Sequence, residues 1–78
     1  MISRKTSPEE KKQLDAMLHT VFDALETKGY DPIAQIEGYM VSNDPIYITT
    51  YNNARALITD CDMEHLRRYL LELYFGIK

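Results

Sequence analysis

The sequence predicts an all-α fold, a compact bundle of four to five short helices. Three observations indicate this class. Apolar residues recur at spacings of three and four along most of the chain, which is the pattern of one face of an amphipathic helix. Serine or aspartate precedes each proline, at Ser7-Pro8, Asp31-Pro32 and Asp44-Pro45, and this pairing is typical of helix starts. The single β-like segment, residues 46–51, has no second strand with which to pair.

The first helix is predicted from Pro8 to Lys28. The Ser7 hydroxyl can accept a hydrogen bond from a free N–H of the first turn, and the Glu10 side chain can reach back to the backbone of Ser7. Gly29 provides a left-handed end. The apolar stripe of this helix consists of Leu14, Met17, Leu18, Val21, Phe22 and Leu25.

Asp31-Pro32 begins the second helix, which Ser42-Asn43 can end. Its apolar positions are Ile33, Ile36, Tyr39 and Met40. Gly38 lies inside this helix, where glycine is less favourable than alanine by about 1 kcal/mol. We therefore expect a neighbouring group to pack closely against Gly38.

The second half of the chain predicts a turn and two more helices. Asp44-Pro45 begins a short helical turn, and an extended link follows it up to residue 51. Asn52 or Asn53 then caps a helix that carries Ala54, Leu57 and Ile58. Asp60 or Asp62 begins the last helix, which Gly76 ends. Its apolar face consists of Met63, Leu66, Tyr69, Leu70, Leu73 and Tyr74.

We assign residues 7–78 to a single helical domain and residues 1–6 to a flexible amino-terminal tail. A domain of this size buries only about 60% of the surface that its unfolded chain exposes, so its core is thin. Cys61 is the only cysteine, which excludes an intramolecular disulfide. Association of two chains is another common way to stabilise so small a domain, and we expect a homodimer.

Composition and charge disfavour several classes of protein. The amino terminus lacks the apolar run of a signal peptide, and no segment reaches the ~20 apolar residues of a membrane span. We therefore expect a cytoplasmic protein without membrane insertion. The net charge of −3 disfavours attraction to phosphate backbones, so nucleic acid is not an expected partner. The alternative kept open is a small helical DNA-binding dimer that uses residues 38–44 together with Arg67 and Arg68.

No residue set in the sequence predicts catalysis, and no cofactor or metal is expected. Cys61, Asp62 and His65 invite a metal or nucleophile interpretation, but His19, the other histidine, is distant in the sequence. A helix cap with an exposed histidine explains the three residues more simply. The sequence contains no phosphate-binding glycine motif.

Two groups of residues point to phosphorylation and to partner binding. The tail holds the hydroxyls of Ser3, Thr6 and Ser7 beside two cations, and such a segment in front of a helix is a candidate kinase substrate. The candidate cations for contact with a partner or a phosphate are Lys28, Arg55, Arg67 and Arg68. A solvated helix face is the other interpretation of the adjacent arginines.

The segment from Lys28 to Arg55 carries a family resemblance. Its matching positions are Lys28-Gly29-Tyr30-Asp31-Pro32-Ile33, Gln35-Ile36, Gly38-Tyr39, Ser42, Asp44-Pro45, Tyr47-Ile48 and Asn53-Ala54-Arg55. Through them the chain resembles the IreB family of small Gram-positive regulatory proteins, which includes ReoM-type members. The similarity extends in register from about Leu14 to Phe75.

The resemblance implies a cytoplasmic, non-enzymatic, all-helical homodimer. It implies phosphorylation of a threonine in front of the first helix by a membrane Ser/Thr kinase with extracellular PASTA repeats, and removal of the phosphate by a partner phosphatase. The implied role is regulation of cell-envelope synthesis, including Clp-protease turnover of an enzyme that makes peptidoglycan precursors.

This chain departs from the family pattern at its basic positions. Thr49-Thr50 stands where the family has Pro-Arg, and Arg67-Arg68 stands where the family tends to be acidic. Further basic residues of the family are replaced by Thr59, Asp60 and Met63. The tail is also shorter, so Thr6 has no matched counterpart to the family phosphothreonine. The resemblance therefore supports the shared helical fold more strongly than it supports the basic positions and the tail threonine that the phosphorylation of family members implies.

Overall fold

The computed structural model describes residues 6–76, and all regular secondary structure in that range is helical. The α-helices are α1 (Pro8–Thr27), α2 (Pro32–Ser42), α3 (Ala54–Thr59) and α4 (Met63–Phe75), and short 3₁₀ turns occupy Pro45–Tyr47 and Tyr51–Asn53. The predicted all-α class is confirmed, while the homodimer stays a prediction. None of the helices in the described range is both long and apolar enough to cross a membrane.

α1 begins as the sequence predicts. The Oγ of Ser7 accepts a hydrogen bond from the N–H of Glu10 (3.2 Å), and the Glu10 carboxylate accepts one from the N–H of Ser7 (2.9 Å). Pro8 takes the first helical position, where a backbone N–H has no intrahelical partner. The helix ends at Thr27, one residue before the predicted end, because the chain turns at Lys28 and Gly29 takes up φ +85°.

Both Asp-Pro pairs begin helical segments. Asp31 Oδ1 accepts the N–H of Ile33 (3.1 Å) at the start of α2, and Asp44 Oδ1 accepts the N–H of Ile46 (3.1 Å) at the first 3₁₀ turn. Asn43 lies between them at φ +59°, a left-handed conformation that asparagine tolerates better than most residues. This residue ends α2 and lets the next segment begin at once.

The close contact expected at Gly38 is made by the ring of Tyr47. A Cβ atom at position 38 would lie 2.6 Å from two ring carbons of Tyr47, much closer than an ordinary van der Waals contact. Gln35, about one turn earlier on α2, donates a hydrogen bond from Nε2 to the carbonyl oxygen of Tyr47 (2.9 Å). One ring contact and one hydrogen bond therefore hold the first 3₁₀ turn against α2.

The predicted extended link is confirmed only in part: it is extended at Ile48, but Thr50 is already helical (φ −81°, ψ −8°) and Tyr51 begins the second 3₁₀ turn. The link also contributes to the core. Ile48 has φ −110° and ψ 126°, and its side chain is fully buried. Asn52 and Asn53 both adopt left-handed conformations, at φ +52° and +63°. Asn53 occupies the predicted cap position of α3, but its side chain makes no capping hydrogen bond. The predicted capping role is therefore wrong, and these asparagines suit the site because they tolerate positive φ.

Within residues 6–76, ten apolar residues form the buried core, and α1 lies at its centre. α1 packs against α2, α3 and α4. The core residues are Leu14, Val21, Ala24, Leu25, Tyr39, Ile48, Ala54, Ile58, Leu66 and Tyr69. Partly exposed apolar side chains, including those of Met17, Leu18, Ile36 and Leu70, pack around this core. The predicted stripes of α1, α2 and α4 thus meet along one helix.

Gly38→Ala is expected to destabilise the protein by about 1–2 kcal/mol. The added methyl group overlaps the Tyr47 ring, and overpacking of this kind outweighs the roughly 1 kcal/mol that alanine gains over glycine in a helix. In a Tyr47→Ala background the sign should reverse, because the obstructing ring is gone. Urea unfolding of the two single variants, the double variant and the wild type measures both effects. Equal stabilisation by Gly38→Ala in both backgrounds would contradict the ring contact.

Candidate functional site

Thr6, in front of α1, lies against α4. Its N–H is 3.3 Å from each carboxylate oxygen of Glu72, which stands 66 positions later in the chain. Thr6 and Glu72 are each only 8% exposed. The structure thus differs from the predicted flexible tail at residue 6, because Glu72 offers its N–H a buried acceptor. Residues 1–5 lie outside the described residues.

The three candidate phosphorylation residues differ in their surroundings. Thr6 is buried beside Glu72. Ser7 is exposed, and its Oγ caps α1 by accepting the N–H of Glu10. Ser3 lies outside the described residues. Phosphate on Thr6 would disturb a contact between the two ends of the domain, whereas phosphate on Ser7 would disturb the start of α1.

Arg68 contacts the same carboxylate as Thr6. Its Nε lies 3.6 Å from Oε2 of Glu72, one helical turn along α4. A guanidinium group and a backbone N–H therefore converge on a carboxylate that is mostly removed from solvent. Glu72 in this way brings a predicted cation, Arg68, to a predicted phosphorylation residue. Glu72 carries no sequence signal for this role, because no local pattern marks a partner so distant in the chain.

The other predicted cations contact different parts of the fold. Arg55 Nε donates to the carbonyl oxygen of Ile48 (2.8 Å), which joins α3 to the extended link. Arg67 Nη2 donates to a carbonyl oxygen near the end of α2 (3.1 Å). Lys28 Nζ lies 5.5 Å from the ring centroid of Tyr51. The four predicted cations are therefore spread over the fold and do not form one phosphate site.

The arginine pair of the DNA-binding alternative has intramolecular contacts. Arg67 reaches across to α2, and Arg68 pairs with Glu72. Both contacts hold the side chains against the protein itself. The arrangement adds no support to that alternative.

An apolar groove of about 550 Å³ lies between α1, α2 and α4. We define the apolar groove by its lining residues, which are Asp15, Leu18, His19, Phe22, Ile33, Ile36, Glu37, Met40, Val41, Tyr69, Leu70 and Leu73. Val41 is 83% exposed and Leu73 is 61% exposed, so large aliphatic side chains of the groove face solvent. Most of the lining is apolar, and the described part of the chain leaves it uncovered.

Asp15 makes two polar contacts within the apolar groove, one of them with Nε2 of His19 (3.4 Å). The Tyr69 hydroxyl donates a hydrogen bond to Oδ1 of Asp15 (3.5 Å), which joins α4 to α1. Burial raises the pKa of the Tyr69 phenol, and the charge and hydrogen bond of Asp15 raise it further. Tyr69 is therefore a neutral donor at physiological pH, and the groove gains no charge from it.

The carboxyl-terminal part of α4 carries several exposed apolar side chains. They are Leu71, Leu73, Tyr74 and Phe75. The rings of Tyr74 and Phe75 contact each other edge to face, with centroids 4.9 Å apart. The sequence assigned Leu73 and Tyr74 to the apolar face of the last helix, and the structure leaves both side chains at the surface. In the sequence, this surface is indicated by the length of the apolar stripe of the last helix, which exceeds what the thin core of a small domain can bury.

Cys61 lies in the connection between α3 and α4 and does not share a helix with His65. Both residues line a smaller cavity of about 290 Å³. Burial raises the pKa of the Cys61 thiol, and the carboxylates of Asp62 and Asp60 raise it further. A raised pKa keeps the thiol protonated at neutral pH, whereas a nucleophile requires the thiolate. Within residues 6–76, no group of three or more His, Cys, Asp or Glu side chains is placed to hold a metal ion.

Arg55→Met is expected to destabilise the protein by about 1–2 kcal/mol, because it removes a donor from the backbone of the buried Ile48. Arg67→Met is the matched control, since Arg67 also donates to a backbone carbonyl but is exposed, and its loss should amount to less than about 1 kcal/mol. Urea unfolding compares the two variants. An unchanged midpoint for Arg55→Met would contradict a structural role and return Arg55 to the candidate partner contacts.

Comparison with known protein families adds a finding that covers nearly the whole chain. The family model described as "IreB regulatory phosphoprotein" matches residues 2–76. This match confirms the resemblance that the segment from Lys28 to Arg55 indicates. It also spans the residues that hold Thr6 against α4 and those that line the apolar groove.

Proposed function

The chain belongs to the IreB regulatory phosphoprotein family, and on that premise we propose that it is a non-enzymatic cytoplasmic regulator that acts through protein–protein contacts. The observation that carries the proposal is the apolar groove, because its shape and chemistry suit contact with another protein. The proposed partners are a second copy of the chain, a Ser/Thr kinase with its phosphatase, and proteins of the Clp-protease pathway.

The apolar groove has the properties of a protein interface. Moving a Val or Leu side chain from full exposure to full burial is worth roughly 1.5–3 kcal/mol, and Val41 and Leu73 are mostly exposed. Aromatic residues are enriched at interfaces, and Tyr74 and Phe75 follow Leu73 directly. Exposed apolar side chains that line one groove are typical of an interaction site.

We assign the apolar groove to a second copy of this chain. A two-fold dimer buries the same patch on both chains. Each patch must therefore contain both a depression and protruding side chains, so that the side chains of one chain fill the depression of the other. The groove suits this requirement, because Val41 and Leu73 line it and are mostly exposed, and the exposed Tyr74 and Phe75 follow Leu73 in the sequence. The thin core of a 78-residue chain makes such burial a useful source of stability.

We assign the regulatory phosphorylation to Thr6, with a PASTA-type Ser/Thr kinase as donor enzyme and a phosphatase that reverses it. Thr6 stands directly before the cap of α1, and the resemblance implies a modified threonine in front of the first helix, although no position of the shorter tail matches it directly. A phosphate carries about −1.5 to −2 charges at neutral pH, and on Thr6 it lies beside the Glu72 carboxylate. The proposed outcome is control of cell-envelope synthesis through Clp-dependent turnover of a peptidoglycan-precursor enzyme.

The wild-type protein should have about twice the 9.1 kDa mass of one chain at micromolar concentration. Leu73→Glu is expected to yield the monomer, because it places a charge in the proposed interface. Ile46→Glu is the matched control, since Ile46 is also exposed and apolar but does not line the apolar groove. Size-exclusion chromatography with light scattering measures the masses. A monomeric wild type, or equal dissociation by both variants, would count against this interface.

Incubation with the host kinase and a nucleoside triphosphate should add one phosphate to Thr6, which mass spectrometry of the amino-terminal peptide locates. Thr6→Val should abolish the modification. Ser7→Ala should retain it while destabilising α1 by about 1 kcal/mol through loss of the cap. Phosphate on none of residues 3, 6 and 7 would remove the switch and leave an unswitched adaptor.

A further inference from the structure

The contact between Thr6 and Glu72 joins the two ends of the described chain. The Thr6 N–H points between the two oxygens of Glu72, at 3.3 Å from each, and both residues are almost fully buried. Arg68 contacts the same carboxylate, with Nε 3.6 Å from Oε2. The N–H of Thr6 is shared between two oxygens of a carboxylate, and this contact favours a closed position of Thr6.

We propose that Glu72 controls the modification of Thr6. Thr6 must leave α4 before a kinase can phosphorylate it, and the phosphate then prevents Thr6 from returning to Glu72. This inference rests on the proposed phosphorylation and adds the device that regulates it. The closed state has Thr6 against Glu72, and the open state has Thr6 released from α4.

The closed state is a poor kinase substrate for a steric reason. Phosphorylation forms a bond between Oγ1 of Thr6 and the γ-phosphorus of a nucleoside triphosphate. The bond from that phosphorus to the bridging oxygen breaks, the nucleoside diphosphate leaves, and the hydroxyl proton passes to a base of the kinase. All of this requires Thr6 to enter the kinase active site, whereas here it is 8% exposed. The rate therefore scales with the fraction of molecules in the open state.

The phosphate makes the closed state unfavourable once it is attached. In the unmodified protein the charges of Glu72 and Arg68 are opposite and adjacent. A phosphothreonine adds about −1.5 to −2 charges beside that carboxylate, and one arginine offsets only part of the added charge. Burial strengthens the repulsion, because charges removed from water are less screened. Phosphorylation should therefore keep Thr6 in the open state, which the unmodified protein visits only occasionally.

A purely structural role for the Thr6–Glu72 contact makes a different prediction. If the contact only extends the start of α1, its loss lowers stability without changing how fast the kinase acts on the folded protein. The rate of phosphorylation separates the two interpretations. Glu64 provides a matched control, because it is another glutamate of α4, is exposed and lies in the first turn.

The contact is tested first without a kinase, by NMR measurement of hydrogen exchange at the Thr6 amide. Glu72→Gln should accelerate exchange by at least about fivefold, since a charge-assisted hydrogen bond is replaced by a neutral one. Glu72→Asp keeps the charge but shortens the side chain by one methylene, and should accelerate exchange similarly. Glu64→Gln should leave it unchanged. Exchange as slow in both Glu72 variants as in the wild type would overturn the closed state, and Glu72→Asp serves if Glu72→Gln does not fold.

The second arm measures initial rates of Thr6 phosphorylation on the full chain. Both Glu72 variants should be modified several-fold faster than the wild type, and Glu64→Gln at the wild-type rate. Equal rates for all four proteins would overturn the control by Glu72 while leaving the proposed phosphorylation intact. Phosphate on none of them would overturn the proposed phosphorylation, and the exchange arm would still decide the closed state. Fully phosphorylated protein should exchange its residue-6 amide at least as fast as Glu72→Gln; slow exchange there would overturn the open phosphorylated state.

Discussion

Burial of the apolar stripe of α1 is the interaction on which the rest of the fold depends. Val21 and Leu25 are fully buried, and α2, α3 and α4 all pack against their helix. The capping box of Ser7 and Glu10 fixes where this helix begins and so sets the register of the stripe. The core around α1 also includes a residue outside the helices, because Ile48, in the link between the two 3₁₀ turns, is extended and fully buried.

A single central helix can cover only part of its neighbours. Side chains of α1, α2 and α4 all line the apolar groove, so packing among these helices leaves part of their apolar stripes uncovered. Small domains bury a smaller share of their surface than large ones, so this excess follows from chain length as well as from sequence. Because the core is small, contacts outside it are also needed to hold the connecting segments in place. The ring of Tyr47 on Gly38 and the bond from Arg55 to Ile48 hold connections that have little core of their own.

Local patterns predicted the parts of the fold that local interactions determine. The helix starts at Pro8 and Pro32 follow from a serine or aspartate cap, which needs only residues within one turn. The sequence pattern indicates the correct position for an asparagine before α3 but the wrong role. Asparagine favours both helix caps and positive φ, and the pattern alone does not distinguish the two. The Thr6–Glu72 contact spans 66 positions, so no local pattern could reveal it. The scatter of the four predicted cations likewise depends on tertiary packing.

α4 connects the two proposals and also keeps them separable. Glu72 and Leu73 are neighbours in sequence, but successive residues of an α-helix point about 100° apart, so one faces Thr6 while the other lines the apolar groove. Arg67 and Tyr69 tie this helix to α2 and α1, which fixes both faces at once. A change confined to the Glu72 carboxylate therefore acts on the closed state without removing a wall of the groove. A change at Leu73 acts on the groove without touching Thr6. The proposed dimerisation and the proposed release of Thr6 thus depend on different faces of one helix, and single substitutions can distinguish them.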